Sequence, residues 1–126
     1  MVLYFDNAFP EKLVKAIRLI YSFGSAPKVE IIRGDWEMVT STDEVVVFLI
    51  DYAARGIDVN TTKYVEDGFK VFAFKRTKDS GFTIFSMSFT LLAAWRNILK
   101  KIEEEPDPFV YTIHNDNTRL YSVSVN

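Results

Sequence analysis

The hydrophobic positions of this chain fall into two rhythms. Unbroken apolar runs occupy residues 2–5 (Val-Leu-Tyr-Phe) and 45–50 (Val-Val-Val-Phe-Leu-Ile), and each is followed by an aspartate, Asp6 and Asp51. Continuous runs rich in β-branched and aromatic residues predict strands buried on both faces, the first over residues 2–6. Residues 29–32, 69–74, 109–113 and 120–125 predict further strands, with 69–74 in alternation. Elsewhere the apolar residues recur at helical spacing. Leu13, Ala16, Ile17 and Ile20 predict a helix opened by Pro10 and Glu11, with Lys12, Lys15 and Arg18 turned elsewhere. Leu91, Leu92, Trp95, Ile98, Leu99 and Ile102 predict the longest helix, capped by Ser88 and ended by Pro106 and Pro108.

The remaining segments read as connections. Asn60 or Thr61 is the expected cap of a helix running to Asp67, with Gly68 as its stop. A short helix is allowed around residues 35–39, and residues 52–55 read as a turn or short helix closed by Gly56. Gly24, Ser25 and Pro27 form a break, residues 75–81 a charged loop, and His114-Asn115-Asp116-Asn117 a hairpin turn. The order β-α-β-α-β-α-β-α-β-β predicts one α/β domain over residues 1–126. Its sheet is mostly parallel, with helices on both faces and a C-terminal β-hairpin.

Composition narrows the chemistry. With 126 residues the chain holds one core, and with no cysteine it has no disulfide, thiolate metal site or cysteine nucleophile. Eleven Phe and six Tyr predict an aromatic core. No apolar run reaches the ~20 residues of a membrane span, and the start reads as a strand rather than a secretory leader. The expectation is a cytoplasmic protein. The formal net charge of −2 argues against indiscriminate nucleic-acid binding. There is one histidine, His114, in a turn, so a nucleophilic triad is poorly supported. No GxGxxG and no GxxxxGK[ST] is present, which counts against dinucleotide and P-loop chemistry.

What remains is carboxylate chemistry. Acids at the carboxyl ends of parallel strands lie where open α/β sheets place ligands. Asp6 and Asp51 on neighbouring strands would suit Mg²⁺ or Mn²⁺, since hard cations take carboxylate, water and phosphate oxygens. A lone strand-end Asp is more often a turn residue or helix cap, and the pairing of two is what favours a site. Asp35, Glu37, Asp43 and Glu44 lie between these strands and would offer a third acid, and Asp58 a fourth. Arg55, Lys63 and the cluster Lys75, Arg76 and Lys78 follow later strands and would meet phosphates, although each alone reads as solvated charge.

The opening Leu3-Tyr4-Phe5-Asp6-Asn7-Ala8-Phe9-Pro10-Glu11-Lys12-Leu13 resembles that of the PIN-like domains, in particular compact proteins related to VapC-type toxins. The strand ending in Asp51, the following Arg55, the helix closed by Gly68, the aromatic strand, the tryptophan-bearing helix and the end of the chain fit the same pattern. The resemblance implies a three-layer PIN-like fold and a Mg²⁺- or Mn²⁺-dependent endoribonuclease, the toxin of a toxin–antitoxin pair. It implies metal ligation by Asp6, Asp51 and one of Asp35 or Glu37, which flank Trp36. Asn7, Arg55, Lys75, Arg76 and Lys78 would then contact substrate. A protein antitoxin and a homodimer are further implied partners. The sequence departs from the family in the spacing of the acids around Trp36 and in Tyr52-Ala53-Ala54, which is less basic than usual. A non-catalytic PIN-like or receiver-like binding module is the alternative. Asn7 stands where a receiver expects a second acid, and Ala8 breaks the Asp-x-Asp of dehalogenase-type phosphatases.

Overall fold

In the computed structural model, the described residues are 1–22, 29–39, 44–75, 83–114 and 119–124. The break at Gly24, Ser25 and Pro27, the turn residues 115–117, and Asp43, Arg76 and Lys78 lie outside them.

The two apolar runs form β1 (Val2–Phe5) and β3 (Val45–Asp51), side by side in the sheet. Every residue of both strands is buried, as their unbroken hydrophobicity requires. Adding β2 (Glu30–Arg33), β4 (Lys70–Lys75), β5 (Val110–His114) and β6 (Leu120–Ser122) gives a six-stranded sheet of order β2-β1-β3-β4-β5-β6. β1 to β5 are mutually parallel, and β6 runs antiparallel to β5. This is the flavodoxin-like order, whose switch point lies between β1 and β3. Asp6 and Asp51 follow or end those two strands.

Among the described residues, three α-helices cover the sheet: α1 (Glu11–Ser22), α2 (Val59–Glu66) and α3 (Ile84–Glu104). α1 and α3 pack on one face, through Leu13, Val14 and Ile17 and through Met87, Leu91, Ala94, Ile98 and Ile102. α2 packs on the other with Tyr64 and Val65, beside Trp36. The crossovers through α2 and α3 advance the chain in one direction with their helices on opposite faces, so they have opposite hands. The α1 crossover shares the hand of α2, which leaves β4-α3-β5 as the uncommon one. Among the described residues α2 is the one α-helix on the second face, and a groove lies beside it.

Several expectations change. The second helix of the predicted order is a 3₁₀ turn, Trp36–Met38. Residues 54–56 are a bend, with Gly56 at φ 66°. β4 does not alternate: both its faces are covered, so Lys70 and Lys75 are buried along with the apolar residues between them. Asp58, not Asn60 or Thr61, caps α2, its carboxylate accepting from the Thr61 N–H at 2.9 Å. Gly68 does stop that helix. At φ 98° it donates to the Val65 carbonyl while Phe69 donates to that of Tyr64, a Schellman closure. α3 starts earlier than Ser88. Thr83 caps it in a reciprocal box with Ser86, and the Ser88 hydroxyl merely donates to the Ile84 carbonyl. Of the residues assigned to the core by spacing, Ala16, Ile20 and Leu92 face outward.

Candidate functional site

The loop after β1 holds Asp6 rigidly. The Asp6 N–H continues the ladder to the Phe48 carbonyl at 2.9 Å, and its Oδ1 accepts from the Ala8 N–H at 2.8 Å. Arg33, the last residue of β2, clamps the same loop. Its Nε donates to the Phe9 carbonyl at 2.7 Å and an Nη to the Asn7 carbonyl at 2.9 Å. Gly34, at φ 75°, lies so close that a Cβ there would stand 2.0 Å from Asn7 Oδ1. Asn7 is thus a fixed part of the turn. The strand-end acid and Asn7 are visible in the sequence. Arg33 and Gly34 are not, because nothing in the spacing says that β2 ends beside β1.

Asp6 opens onto a groove of about 630 Å³ lined by Trp36, Asn60, Lys63, Tyr64, Asp67 and Phe69. Asn60, Lys63, Tyr64 and Asp67 share one side of α2 at spacings of three and four. The aromatic wall is continuous. Trp36 lies 4.8 Å from Tyr4, 5.4 Å from Tyr64 and 5.1 Å from Phe69, measured between ring centroids. Burial, the neighbouring Tyr64 and the carboxylates of Asp6 and Asp35 push the Tyr4 phenol up to about 12. Burial and the Asp6 charge raise Tyr64 as well. Asp6 and Asp35 therefore both act on the Tyr4 hydroxyl. Asp35 itself is exposed, ahead of the 3₁₀ turn, with no side-chain capping bond, and Glu37 is exposed on that turn.

Asp51 is placed quite differently. It is 1% exposed, and protein donors take both of its oxygens. Oδ1 accepts from the Ala53 N–H at 2.9 Å and from Lys75 Nζ at 3.0 Å. Oδ2 accepts from the Asp58 N–H at 2.8 Å and the Thr61 hydroxyl at 2.7 Å. Burial pushes the Asp51 carboxyl up, but the bonds from Thr61, Asp58, Lys75 and Ala53 outweigh it and hold it below its ordinary value. A divalent cation does not fit here, because each oxygen already has two donors and an ammonium stands beside the carboxylate. The expected metal ligand is a structural anchor.

The other expected residues divide in the same way. Lys75 does not face phosphates: register sets it level with Asp51, and its ammonium also donates to the Ala53 carbonyl at 2.9 Å. Arg55 is exposed on the bend, and Lys63 lines the groove. Glu44 is at the opposite end of the sheet, where it pairs with Lys70, which also donates to the Ile102 carbonyl at 2.9 Å. Asp58 is a helix cap, and the His114 ring packs edge-on against Tyr121. Among the described residues, no three Asp, Glu or His side chains converge as a metal-holding group. Among the same residues, no helix is long and apolar enough to cross a membrane.

No family model, no curated protein and no solved structure matches the chain.

Proposed function

We propose that this chain is a PIN-like RNA hydrolase whose working carboxylate is Asp6, with Asp51 in a supporting role. The observation that carries this reading is the state of Asp6. It is half-buried at the switch point of a parallel sheet, clamped from the backbone side, and uses Oδ1 for its turn while Oδ2 meets no donor among the described residues. Mg²⁺ is commonly held by one or two carboxylates plus waters and substrate phosphates, so Asp6 meets that need without Asp51. A cation held there would lower the pKa of a bound water and offset charge on the phosphate. The protein's own groups do the rest. Lys63 attracts a phosphate, Trp36 and Tyr64 offer aromatic surface to a base, and the Arg33 clamp keeps Asp6 in place. A toxin–antitoxin setting and a cytoplasmic site of action go with this reading.

One observation favours a second reading. The saturation of Asp51 removes a carboxylate on which the family pattern depends, and this suits a non-catalytic module that binds through the same groove. Calorimetry with Mn²⁺ and cleavage of a single-stranded RNA separate the two. The hydrolase reading expects metal binding and cleavage in the wild type, both lost in Asp6→Asn with the fold intact. Wild-type protein that neither binds Mn²⁺ nor cuts RNA leaves the binding module.

A further inference from the structure

The groove side of α2 carries residues that do not suit the helix. Asp67, the C-terminal cap residue, puts a carboxylate at the negative end of the helix dipole, where an anion is unfavourable. Among the described residues its side chain has no hydrogen bond or ion pair in return. Lys63 stands four positions earlier, the poorer order for a helical ion pair, and the two do not pair. Both line the groove. A local rule broken without local compensation is expected where a site needs the residue.

We propose, resting on the RNA reading of the same groove, that it takes a guanosine unit of single-stranded RNA, with the base stacked on Trp36 and its Watson–Crick edge bound by the Asp67 carboxylate. α2 follows the carboxyl end of β3 and runs back to the start of β4. Asn60 is therefore at the Asp6 end of the groove, and Asp67 lies about 10 Å further along the helix axis, at 1.5 Å rise per residue. Lys63 stands between them. A phosphate held near Asp6 and Lys63 sends its base down the groove towards Asp67.

Two features select the base. Trp36 is half-buried, and its ring neighbours meet it edge-on or tilted, at 90° to Tyr4, 86° to Phe69 and 59° to Tyr64. Among the described residues no ring lies parallel to it, so a base can take the stacking position. An ionised carboxylate only accepts hydrogen bonds, through two oxygens side by side. Guanine alone among the RNA bases sets two donors side by side on its Watson–Crick edge, the ring N1–H and the exocyclic amino group. Adenine and cytosine offer one amino group beside an acceptor. Uracil offers one N–H between two carbonyls, which a carboxylate repels. Unstacked bases read on this edge are the usual targets of sequence-specific RNA binding.

Binding of short oligouridines with a central G, A, C or U tests this, in the Asp6→Asn background, where the hydrolase reading expects no cleavage. Quenching of Trp36 fluorescence is the readout. The other tryptophan, Trp95, packs against Tyr21 and Phe48 on the opposite face and gives a constant background. The G oligomer is expected to bind about tenfold tighter than the other three, as a bidentate base contact allows. Adding Asp67→Asn sets a donor against a donor and is expected to abolish that preference while leaving the all-uridine affinity unchanged. Its urea midpoint should not fall, since it removes a charge from the wrong end of a helix. Equal binding of all four oligomers overturns the guanosine assignment and leaves the RNA reading standing, and so does a preference that survives Asp67→Asn. Guanosine monophosphate bound more tightly than the G oligomer overturns the assignment to RNA. If no oligomer binds, the RNA reading falls and the guanosine assignment with it.

Discussion

Lys75 Nζ lies 3.0 Å from Asp51 Oδ1, with the Asp51 side chain fully buried and the Lys75 side chain largely so, between β3, β4 and the start of α2. The two residues sit level in the parallel register. Neither is available to a ligand, and each satisfies the other. Removing one partner of such a pair strands a buried charge, at a cost of about 3–5 kcal/mol. Asp51→Asn is therefore expected to lower the unfolding free energy by about that amount in urea titrations. The double variant Asp51→Asn/Lys75→Met is expected to regain part of it, because no charge is then left unpaired. Additive losses in the double variant would contradict the coupling.

The same carboxylate sets an acid limit to stability. Its folded pKa lies below the ordinary 3.8, so the folded state binds its proton less readily than the unfolded chain. The contribution is fully present above that ordinary value and is lost as pH falls through the lower folded one. Thermal melts taken from pH 6 downward should show an acid decline in the wild type that is shallower in Asp51→Asn. An unchanged slope would mean that Asp51 titrates alike in both states.

Sequence pattern is informative only up to the neighbour across the sheet. An acid ending an apolar run marks a strand end, and this holds for Asp6 and Asp51 alike. Their different fates depend on what faces them across the sheet. Lys75 lies in a charged segment and reads as solvated, because nothing in a single sequence gives the β3–β4 register. Leu91 and Leu92 show the same limit on a helix: adjacent residues are 100° apart, and only Leu91 points inward. The groove lies between α2 and the turn that carries Trp36, a juxtaposition set by the sheet order rather than by any local signal. What is local was legible, such as the apolar strands, Pro10 at the start of α1 and Gly68 at the end of α2.

The clamp on the Asp6 loop makes a separate prediction. Gly34→Ala would need an alanine at φ 75° with its Cβ against Asn7 Oδ1. A cost of about 1–3 kcal/mol is expected from strain and displacement together. Arg33→Ala removes two hydrogen bonds to the carbonyls of Asn7 and Phe9. If Asp6 binds Mn²⁺, Arg33→Ala should weaken that binding although Arg33 bears no carboxylate, and Arg33→Lys should restore only part of it. Calorimetry reads this directly, and an Arg33→Ala protein that binds Mn²⁺ as the wild type does would remove the clamp from the site.

The start of α3 can be located by substitution. Thr83 accepts from the Ser86 N–H at 3.1 Å, and Ser86 returns the bond by accepting from the Thr83 N–H at 3.0 Å. Thr83→Ala is expected to cost about 1 kcal/mol. Ser88 lies inside the helix, where alanine is the better helix former, so Ser88→Ala should be neutral or slightly stabilising. Parallel chemical denaturation of the two variants distinguishes the capping residues. A larger loss at Ser88 would move the helix start to the later position.

At the alkaline end, Tyr4 governs the balance on the groove side of the sheet. Its phenol is raised from 10.0 to about 12, first by burial and then by Tyr64 and Asp6. A raised phenol keeps its proton in the folded state after the unfolded chain has lost it. Its contribution to stability is thus complete below pH 10 and is lost as pH rises through the folded value. Tyr4→Phe should flatten part of the alkaline decline in denaturation midpoint. Further parts are expected from Tyr111, which burial and the hydrogen-bonded Glu105 also raise to about 12, and from Tyr64 and Tyr21, which burial raises. Asp6→Asn should lower the Tyr4 pKa, because it removes one of the charges that oppose phenolate. Tyrosinate absorbance of the folded protein, compared between wild type, Tyr4→Phe and Asp6→Asn, isolates this residue. If the Tyr4 titration is unmoved by Asp6→Asn, Asp6 does not face the hydroxyl, and the groove loses the carboxylate on which its proposed chemistry rests.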